Sequence, residues 1–425
     1  MATRVLIYSG KGGTGKTTVS AATAALLASQ GKRVLIMSSD PAHSLSDVIG
    51  QPISRDEMTL LAPNLYGLEI DTIYEMRKNM GGFQKYMANA YTGRGVESSV
   101  AAELSNQPGM DEILSLNRLM SEYQSGKWDC IIVDTAPTGN TLRLLAYPEM
   151  IIGGESGKKF FKVYRGFSNV VRPLRQSGPD DSFFKEINTL MEVMNNLSRF
   201  IISDDVTVRL VLNPEKLPLM ETKRAYTFLS LYGIKMDACM VNKVLPAGKR
   251  LGAYFDYWVQ LQTKYIKEIE ESFQPMPIFK SVLEDEEPIG IMKLIKLAAR
   301  LYGDYDPMAQ LYSQQLMWVE DIKQTALVKS KLNAVPLETH RRLCIQLPFV
   351  EDQEDLLINC VGSDIQVTAG RLQRSINLPR ILLESELSSY CYEKGILKLE
   401  FVEKPPVAAV AIWEDDPFFV GSNLN

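Results

Sequence analysis

A glycine-rich segment near the amino terminus, GKGGTGKTT (Gly10–Thr18), constrains the fold of this chain more than any other feature. It follows a short β-branched run, Arg4–Ser9, and precedes the stretch Thr17–Gln30, whose apolar residues share one helical face. The pattern G-x-x-x-x-G-K-[ST] requires this order of strand, loop and helix to cradle phosphates with backbone N–H groups. The sequence therefore predicts a P-loop domain.

The two lysines of this loop have different predicted roles. Lys16 should reach the β- and γ-phosphate oxygens, and the Thr17 hydroxyl should bind Mg²⁺. Lys11 points away from a nucleotide in its own subunit, so its charge is useful only to phosphates held by a second subunit, as that of an arginine finger is. We therefore expect a nucleotide-sandwich homodimer; the alternative is that Lys11 is a solvated surface lysine. The loop residues expected to hold ATP or ADP are Gly10, Lys11, Gly12, Gly13, Thr14, Gly15, Lys16, Thr17 and Thr18.

Continuous apolar runs of strand length recur along the amino-terminal part of the chain. Strands of a parallel sheet have this pattern because helices cover both of their faces. We therefore predict an α/β domain with a mainly parallel sheet over residues 1–325. The runs are Arg33–Ser39, Asp129–Val133, Val208–Leu212 and Ala238–Val241.

Two long stretches between these runs, Ile73–Gln124 and Pro148–Ser203, have helical character and are rich in methionine and phenylalanine. We interpret them as one helical subdomain made of two insertions. Its apolar side chains predict a groove for hydrophobic protein clients, because flexible side chains repack around varied partners. The alternative is that they fill the subdomain's own core. The predicted groove residues are Met76, Met80, Met87, Met120, Phe160, Phe161, Phe183, Phe184, Met191 and Met194.

Two aspartates follow strand-like runs, where open parallel sheets gather their ligands. Asp40 begins the segment DPAHSLSD, and Asp134 begins the segment DTAPTGNT. Transfer of a phosphoryl group to water needs an oriented water and charge neutralisation, so Asp40 can orient or deprotonate the water. Asp134 is the expected Walker B-type acid, and Mg²⁺ is expected among Thr17, Asp40 and Asp134, partly through water. The alternative for Asp40 is a helix N-cap before Pro41.

The pattern changes after the α/β domain. The sequence predicts a helix from Asp306 to about Lys331 and a linker over residues 326–340. Short alternating segments then predict a small all-β sandwich over residues 341–404, followed by a flexible tail over residues 405–425. The strand-like segments are Leu343–Leu347, Leu356–Val361, Ile365–Ala369, Arg371–Leu378 and Ile396–Val402.

Composition argues against several classes of protein. The chain has 425 residues and a formal net charge of −5, which lacks the basic surplus of nucleic-acid-binding proteins. No apolar run approaches the ~20 residues that cross a bilayer, and the early strand leaves no room for a leader, so we expect a soluble, cytosol-like protein. The 5 cysteines form no C-x-x-C pair and there are 2 histidines, so we expect no zinc site.

These motifs together resemble the ArsA family of deviant-Walker ATPases, over roughly Val5 to Gly303. That family includes the arsenite-pump ATPase and the guided-entry ATPase that escorts tail-anchored membrane proteins. The resemblance implies a homodimeric, Mg²⁺-dependent enzyme that hydrolyses ATP to ADP and phosphate. The segments that carry it are GKGGTGKTT (Gly10–Thr18), SSDPAHSLSD (Ser38–Asp47), PGMDE (Pro108–Glu112), DTAPTGNTLRLL (Asp134–Leu145), NPEKLPLMETKRAY (Asn213–Tyr226) and VNKVLP (Val241–Pro246).

The resemblance also implies roles for single residues. Lys11 matches the family's intersubunit lysine, Asp40 its switch I hydrolytic acid, and Asp134 the start of its switch II. Asn242 matches the asparagine that recognises adenine. Pro277 matches the start of the loop that covers the base.

Two departures from the family pattern are visible. The usual histidine of switch II is Asn140 here, which puts any coupling through an imidazole in doubt. The C-x-x-C pair that holds zinc at the dimer interface of eukaryotic guided-entry ATPases is missing, so the expected dimer must be held without that metal.

The carboxy-terminal segment resembles an α-crystallin, or small heat-shock, domain. The segments SINLP (Ser375–Pro379) and YEKGILKLEF (Tyr392–Phe401) carry this resemblance. An ArsA-type ATPase with such a domain is similar to a subgroup found in photosynthetic organisms, which implies the cytoplasm or the plastid stroma.

Three functions are compatible with these features. The first is ATP-gated capture or targeting of hydrophobic, tail-anchored-like proteins, with a membrane receptor as a possible further partner for client release. The second is a metalloid-transport ATPase, against which the cysteine arrangement argues. The third is a positional switch like the partitioning and cell-division ATPases, which bind DNA or membrane through basic surfaces or an amphipathic C-terminal helix. This chain ends in acidic residues instead, which argues against the third function.

Overall fold

The structure is a computed structural model and describes most of the α/β and carboxy-terminal parts of the chain. The described residues are 3–40, 44–55, 57–71, 110–135, 192–246, 252–322, 340–350, 356–370 and 372–403.

The strands of the amino-terminal part, within the described residues, are β1 (Arg4–Ser9), β2 (Val34–Ser38), β3 (Thr59–Ala62), β4 (Leu65–Glu69), β5 (Cys130–Asp134), β6 (Val206–Leu212), β7 (Met236–Val244) and β8 (Ile278–Val282). They form one sheet in the order β3-β4-β2-β5-β1-β6-β7-β8. Neighbouring strands are parallel except for β3 and β4, which form an antiparallel hairpin. The predicted mainly parallel α/β sheet is confirmed.

Helices cover both faces of this sheet. Val5 and Ile7 of β1 face one hydrophobic cluster, and Leu6 and Tyr8 face the other. Both faces are buried because the side chains of a strand alternate between them. The helices with defined bounds are α1 (Lys16–Ser29), α2 (Ser44–Ile49), α3 (Met110–Gln124), α4 (Lys216–Leu231), α5 (Ala253–Phe273) and α6 (Ile291–Tyr302), and residues 192–201 are also helical.

The two faces carry different helices. Residues of α1 and α6 belong to one cluster, whereas residues of α3, α4 and α5 belong to the other. The small alanine side chains of α1, which are buried, let it pack closely on α6. In the part of the chain that the structure describes, no helix has the length and apolar character of a membrane span.

The carboxy-terminal part is a sandwich of two antiparallel sheets, as the sequence predicts. Its strands are β9 (Met317–Ile322), β10 (His340–Gln346), β11 (Leu356–Val361), β12 (Asp364–Ala369), β13 (Leu372–Asn377), β14 (Ser385–Glu393) and β15 (Ile396–Glu403). One sheet has the order β14-β15-β10-β9 and the other β11-β12-β13.

The helix predicted from Asp306 to about Lys331 is wrong. Residues 310–316 lack regular structure, and β9 pairs antiparallel with β10. The strand therefore belongs to the carboxy-terminal sheet rather than to the α/β domain or a linker. The six residues of β9, MWVEDI, include both apolar and acidic side chains and form a strand because of this long-range pairing. Local periodicity of the sequence does not reveal such pairing.

Candidate functional site

The loop between β1 and α1 keeps its shape because two of its glycines cannot carry a side chain. A Cβ on Gly10 would lie 2.0 Å from the carbonyl oxygen of Val211 on β6. Gly15 has φ 89°, and a Cβ there would lie 2.2 Å from Nδ2 of Asn242. The Val211 carbonyl of β6 and the Asn242 side chain of β7 therefore lie too close to the loop for a side chain at either glycine.

Two side chains from the end of β7 brace this loop. Asn242 donates from Nδ2 to the Thr14 carbonyl oxygen at 2.8 Å. Lys243 has the left-handed φ of 56° and donates from Nζ to the Gly13 carbonyl oxygen at 2.9 Å. Sequence reasoning named Asn242 and missed Lys243, although the two are adjacent in the segment VNKVLP.

Lys16 is a buried cation at the base of the cradle. Lys16 is the first residue of α1 and is 6% exposed. Its ammonium donates to the Lys11 carbonyl oxygen at 3.5 Å. Burial lowers the pKa of Lys16, whereas the carboxylates of Asp134 and Asp40 raise it. An ammonium in this position favours an anionic ligand, because burying a cation without a partner is unfavourable.

Asp134 lies at the carboxyl end of β5, beside the ends of β1 and β2. It is fully buried, and neither of its carboxylate oxygens has a hydrogen-bond partner among the described residues. Burial raises the pKa of Asp134 to about 7, the Thr17 hydroxyl and Lys16 ammonium lower it, and Asp40 raises it further. A buried carboxylate that lacks a hydrogen-bond partner and has a raised pKa is suited to bind a cation or a water molecule that the protein chain does not supply.

Asp40 follows β2 at the same edge of the sheet. Its N–H donates to the Ser38 hydroxyl at 3.3 Å, and the Thr17 hydroxyl lies 3.2 Å from that of Ser44, the first residue of α2. The alternative in which Asp40 is an N-cap followed by a helix at Pro41 stays a prediction, because the three residues after Asp40 are not described. Residues 41–43 and Asn140 lie outside the described residues.

Pro277 does not lie at this edge. The register pairs Cys239 of β7 with Ile278 of β8, and the Cys239 N–H donates to the Pro277 carbonyl oxygen at 3.0 Å. Asn242 is three residues after Cys239 on β7, so it lies ~10 Å further along the strand direction than Pro277. The expectation that Pro277 covers the base is corrected: the residues that reach the nucleotide edge after β8 begin at Leu283.

Lys11 projects from the loop toward the surface. Its ammonium lies 3.8 Å from a carboxylate oxygen of Glu221 on α4, and its side chain is 37% exposed. It borders a cleft of about 670 Å³. The other walls of the cleft come from the start of α4 and from α5, including Glu215, Lys216, Leu217, Tyr254, Phe255 and Trp258.

Two of the predicted groove residues fall within the described part of the chain, and both are buried. Met120 on α3 is 6% exposed and Met194 is 0% exposed, and both belong to the hydrophobic cluster on one face of the sheet. For these two, the interpretation as core residues is the better one. The other eight lie outside the described residues: Met76, Met80, Met87, Phe160, Phe161, Phe183, Phe184 and Met191.

The geometry of the loop and its carboxylates agrees with comparisons to known proteins. Residues 3–303 match the family model described as anion-transporting ATPase. The chain belongs to the ArsA family of ATPases. Residues 338–401 of this ArsA-family chain, which contain β10–β14 and most of β15, match the model described as the HSP20-like domain found in ArsA. These strands, together with β9, which lies outside the match but pairs with β10, are called the HSP20-like domain below.

Several relatives span most of this ArsA-family chain. A protein of Aquifex aeolicus named "Putative arsenical pump-driving ATPase 1" is 32% identical over 398 residues, which is 90% of this chain and 98% of the relative. A Chlorobaculum tepidum protein named "Putative arsenical pump-driving ATPase" is 38% identical over 73% of this chain and 78% of its own length. The "ATPase get3" of Pyrenophora tritici-repentis is 30% identical over 72% of this chain and 92% of its own length.

Proposed function

We propose that this ArsA-family ATPase is a Mg²⁺-dependent homodimer that captures hydrophobic, tail-anchored-like protein segments in its ATP-bound state. The observation that carries the nucleotide part of this proposal is Asp134, a buried carboxylate without a described partner beside the phosphate cradle. Such a group fits Mg²⁺, whose preferred ligands are oxygens and water.

The described residues fit the metal that the family implies. The Thr17 hydroxyl would hold Mg²⁺, and Asp134 and Asp40 would hold its water ligands. The ion, when bound, neutralises charge on the β- and γ-phosphates. Mg²⁺ bound there would lower the raised pKa of Asp134, because a nearby dication favours the ionised carboxylate.

The chain's own residues would complete the hydrolysis site. Lys16 binds the β- and γ-phosphate oxygens from the base of the cradle, where it is already desolvated. Asp40 orients the attacking water and accepts its proton. Lys11 of the partner subunit neutralises charge that develops on the γ-phosphate. Its side chain is 37% exposed, so it can reach across an interface once its contact with Glu221 is broken.

ATP binding would close the two subunits, and hydrolysis would reopen them. Client capture is proposed for the stretches 73–124 and 148–203, because their methionine and phenylalanine content suits varied apolar segments. The relationship to proteins named get3 supports this assignment. Release to a membrane receptor is part of the same proposal.

The hydrolytic role is tested with Asp40→Asn. This variant should bind ATP as the parent does and should lose nearly all turnover, because an amide cannot accept the water's proton. Asp47→Asn is the matched control, since Asp47 is an exposed aspartate in the same segment. Unchanged turnover in Asp40→Asn would remove this residue from the mechanism.

The capture role is tested with the triple serine variant of Phe160, Phe161 and Met191. ATP turnover should persist, while retention of a peptide of about 20 apolar residues, the length of a membrane anchor, should fall. Leu60→Ser, at a position that is 60% exposed on β3, is the control for a lost surface apolar group. Undiminished retention by the triple variant would contradict the groove.

A metalloid-transport function is the second candidate, because relatives are named as putative arsenical pump-driving ATPases. The structure gives it little support. Cys130, Cys239 and Cys344 are buried, and no group of three or more His, Cys, Asp or Glu side chains in the described ranges is placed to hold a metal ion. Stimulation of hydrolysis by arsenite would favour this second function over the first.

A further inference from the structure

One helix of the α/β domain contacts both the phosphate loop and the HSP20-like domain. Near its start, α4 carries Glu221, whose carboxylate lies 3.8 Å from the Lys11 ammonium. Further along, the same helix carries Thr227, which donates to the Pro348 carbonyl oxygen of the HSP20-like domain. Six residues of α-helix span ~9 Å, so the two contacts are linked by less than two turns of rigid helix.

The contact with the HSP20-like domain centres on Phe349. Its ring lies 5.8 Å from that of Tyr226 on α4 and 5.5 Å from that of Phe273 on α5, both edge to face. The Lys223 ammonium lies 5.6 Å from the centre of the same ring. A ring held by two aromatic neighbours and a cation is a specific contact rather than incidental proximity.

The backbone of Phe349 is strained. Its φ is 63°, a left-handed conformation that a bulky residue rarely adopts. Such conformations persist where surrounding contacts compensate for them, and they are enriched at functional positions. Here the strain places the ring against α4.

A second contact holds the end of α4. Tyr232 donates from its hydroxyl to the Gln373 carbonyl oxygen at 3.0 Å. Arg374 donates to the Leu231 carbonyl oxygen, and its guanidinium lies 5.4 Å from the centre of the Tyr232 ring. A cation at a helix C-terminus interacts favourably with the helix dipole. The HSP20-like domain thus fixes α4 from Thr227 to its end.

We propose that the HSP20-like domain regulates the ATPase through α4. In the docked arrangement, α4 holds Glu221 where it neutralises Lys11, and Lys11 reaches the partner's phosphates only after they displace that carboxylate. When the HSP20-like domain undocks, α4 is no longer held and Glu221 competes less well with the partner's phosphates for Lys11. ATP-dependent dimerisation then becomes easier. This inference rests on the cross-subunit role of Lys11 proposed above.

The size of the effect follows from the exposure of the ion pair. Both side chains are more than a third exposed, at 37% and 38%. Exposed ion pairs contribute little in water, so removing this one should change the dimerisation equilibrium about 2- to 5-fold. A modest bias of this size suits regulation, because it leaves the ATP-driven change dominant.

The test measures the protein concentration at which half of the chain is dimeric with ATP, by sedimentation in the Asp40→Asn background. Glu221→Gln should lower this concentration about 2- to 5-fold. Phe349→Asn should lower it in the same direction, because it removes the docking ring while asparagine tolerates the left-handed backbone. The two together should give no more than the larger single effect, since both act through one contact.

Two controls make the outcomes distinct. Tyr390→Ser removes an aromatic ring that is 49% exposed elsewhere in the HSP20-like domain, and should leave the concentration unchanged. Thermal melting and binding of a fluorescent ATP analogue check that each variant is folded. Additive effects of Glu221→Gln and Phe349→Asn, or no effect of Phe349→Asn, would overturn the regulatory inference.

Lys11→Ala in the same assay separates this inference from the proposed function. If Lys11→Ala weakens dimerisation while the Glu221 and Phe349 variants do nothing, the regulation is wrong and the cross-subunit lysine stands. If Lys11→Ala leaves dimerisation unchanged, both the regulatory inference and the cross-subunit role of Lys11 are wrong.

Discussion

The guanidinium of Arg209 and the carboxylate of Asp237 form a two-point contact inside the α/β domain, at N–O distances of 3.0 and 3.3 Å. Both side chains are 0% exposed. Arg209 also donates to the hydroxyls of Tyr8 at 3.3 Å and Tyr302 at 3.1 Å, and Arg4 lies 3.2 Å from the same carboxylate. The network joins β1, β6 and β7 to α6.

Removing the anion of this network should destabilise the protein strongly. Asp237→Asn leaves two buried or nearly buried guanidinium groups without their counter-charge, so the free energy of unfolding should fall by about 3–5 kcal/mol. Urea unfolding followed by circular dichroism measures this. Asp204→Asn is the control, because Asp204 pairs with Lys235 at the surface and its side chain is 86% exposed. A loss in Asp237→Asn no larger than that in Asp204→Asn would contradict the structural role.

The raised pKa of Asp134 makes the stability of the nucleotide-free protein depend on pH. The folded protein holds a proton up to pH about 7, whereas an unfolded aspartate releases it near pH ~3.9. Stability from this group is therefore lost as pH rises between those values. Asp134→Asn mimics the protonated form, so its stability relative to the parent should rise by about 2–3 kcal/mol from pH 5 to pH 8.

This pH prediction has a control with the opposite shift. Contacts with Arg33 lower the pKa of Asp129, so its titration is complete below pH 5 in both states. The stability difference between Asp129→Asn and the parent should therefore be constant from pH 5 to pH 8. Denaturant titrations with EDTA present measure both variants. A constant difference for Asp134→Asn as well would show that this carboxylate is not desolvated as described.

Gly15 is a position where a single added methyl group should weaken nucleotide binding. Gly15→Ala introduces a Cβ that collides with Nδ2 of Asn242, at a φ of 89° that disfavours alanine. We expect ATP affinity to fall at least about tenfold, because the loop must move to relieve the clash. Isothermal titration calorimetry measures the affinity.

Gly126→Ala separates the collision from backbone strain. Gly126 also has a positive φ, of 64°, but a Cβ there would meet nothing within 4 Å. This variant should lose ~1 kcal/mol of stability and keep its ATP affinity. Equal ATP affinities in Gly15→Ala and Gly126→Ala would contradict the close approach of Asn242.

The elements that the sequence predicted best are those with local signals. β1 has the bounds Arg4–Ser9 that its β-branched run predicts, and β11 has the bounds Leu356–Val361. The phosphate loop is predictable because glycine, lysine and threonine must stand at fixed spacing to surround phosphates.

The remaining features depend on contacts between distant residues. β9 is a strand because it pairs with β10, and nothing within MWVEDI indicates a strand rather than a helix. Pro277 was misplaced because a motif gives the order of residues but not the register of the strand that follows. Lys243 and Phe349 adopt positive φ values that only their tertiary contacts stabilise, so neither stood out in the sequence.

The cross-subunit role of Lys11 is tested most directly by mixing two inactive variants. Lys11→Ala keeps Asp40, and Asp40→Asn keeps Lys11, so a mixed dimer would contain one site with both groups if Lys11 acts on the partner's nucleotide. After subunit exchange in an equal mixture, ATPase activity should recover to about a quarter of the parent value, because half the dimers are mixed and each has one complete site. No recovery above the two separate variants would contradict the proposal that each subunit supplies its lysine to the other.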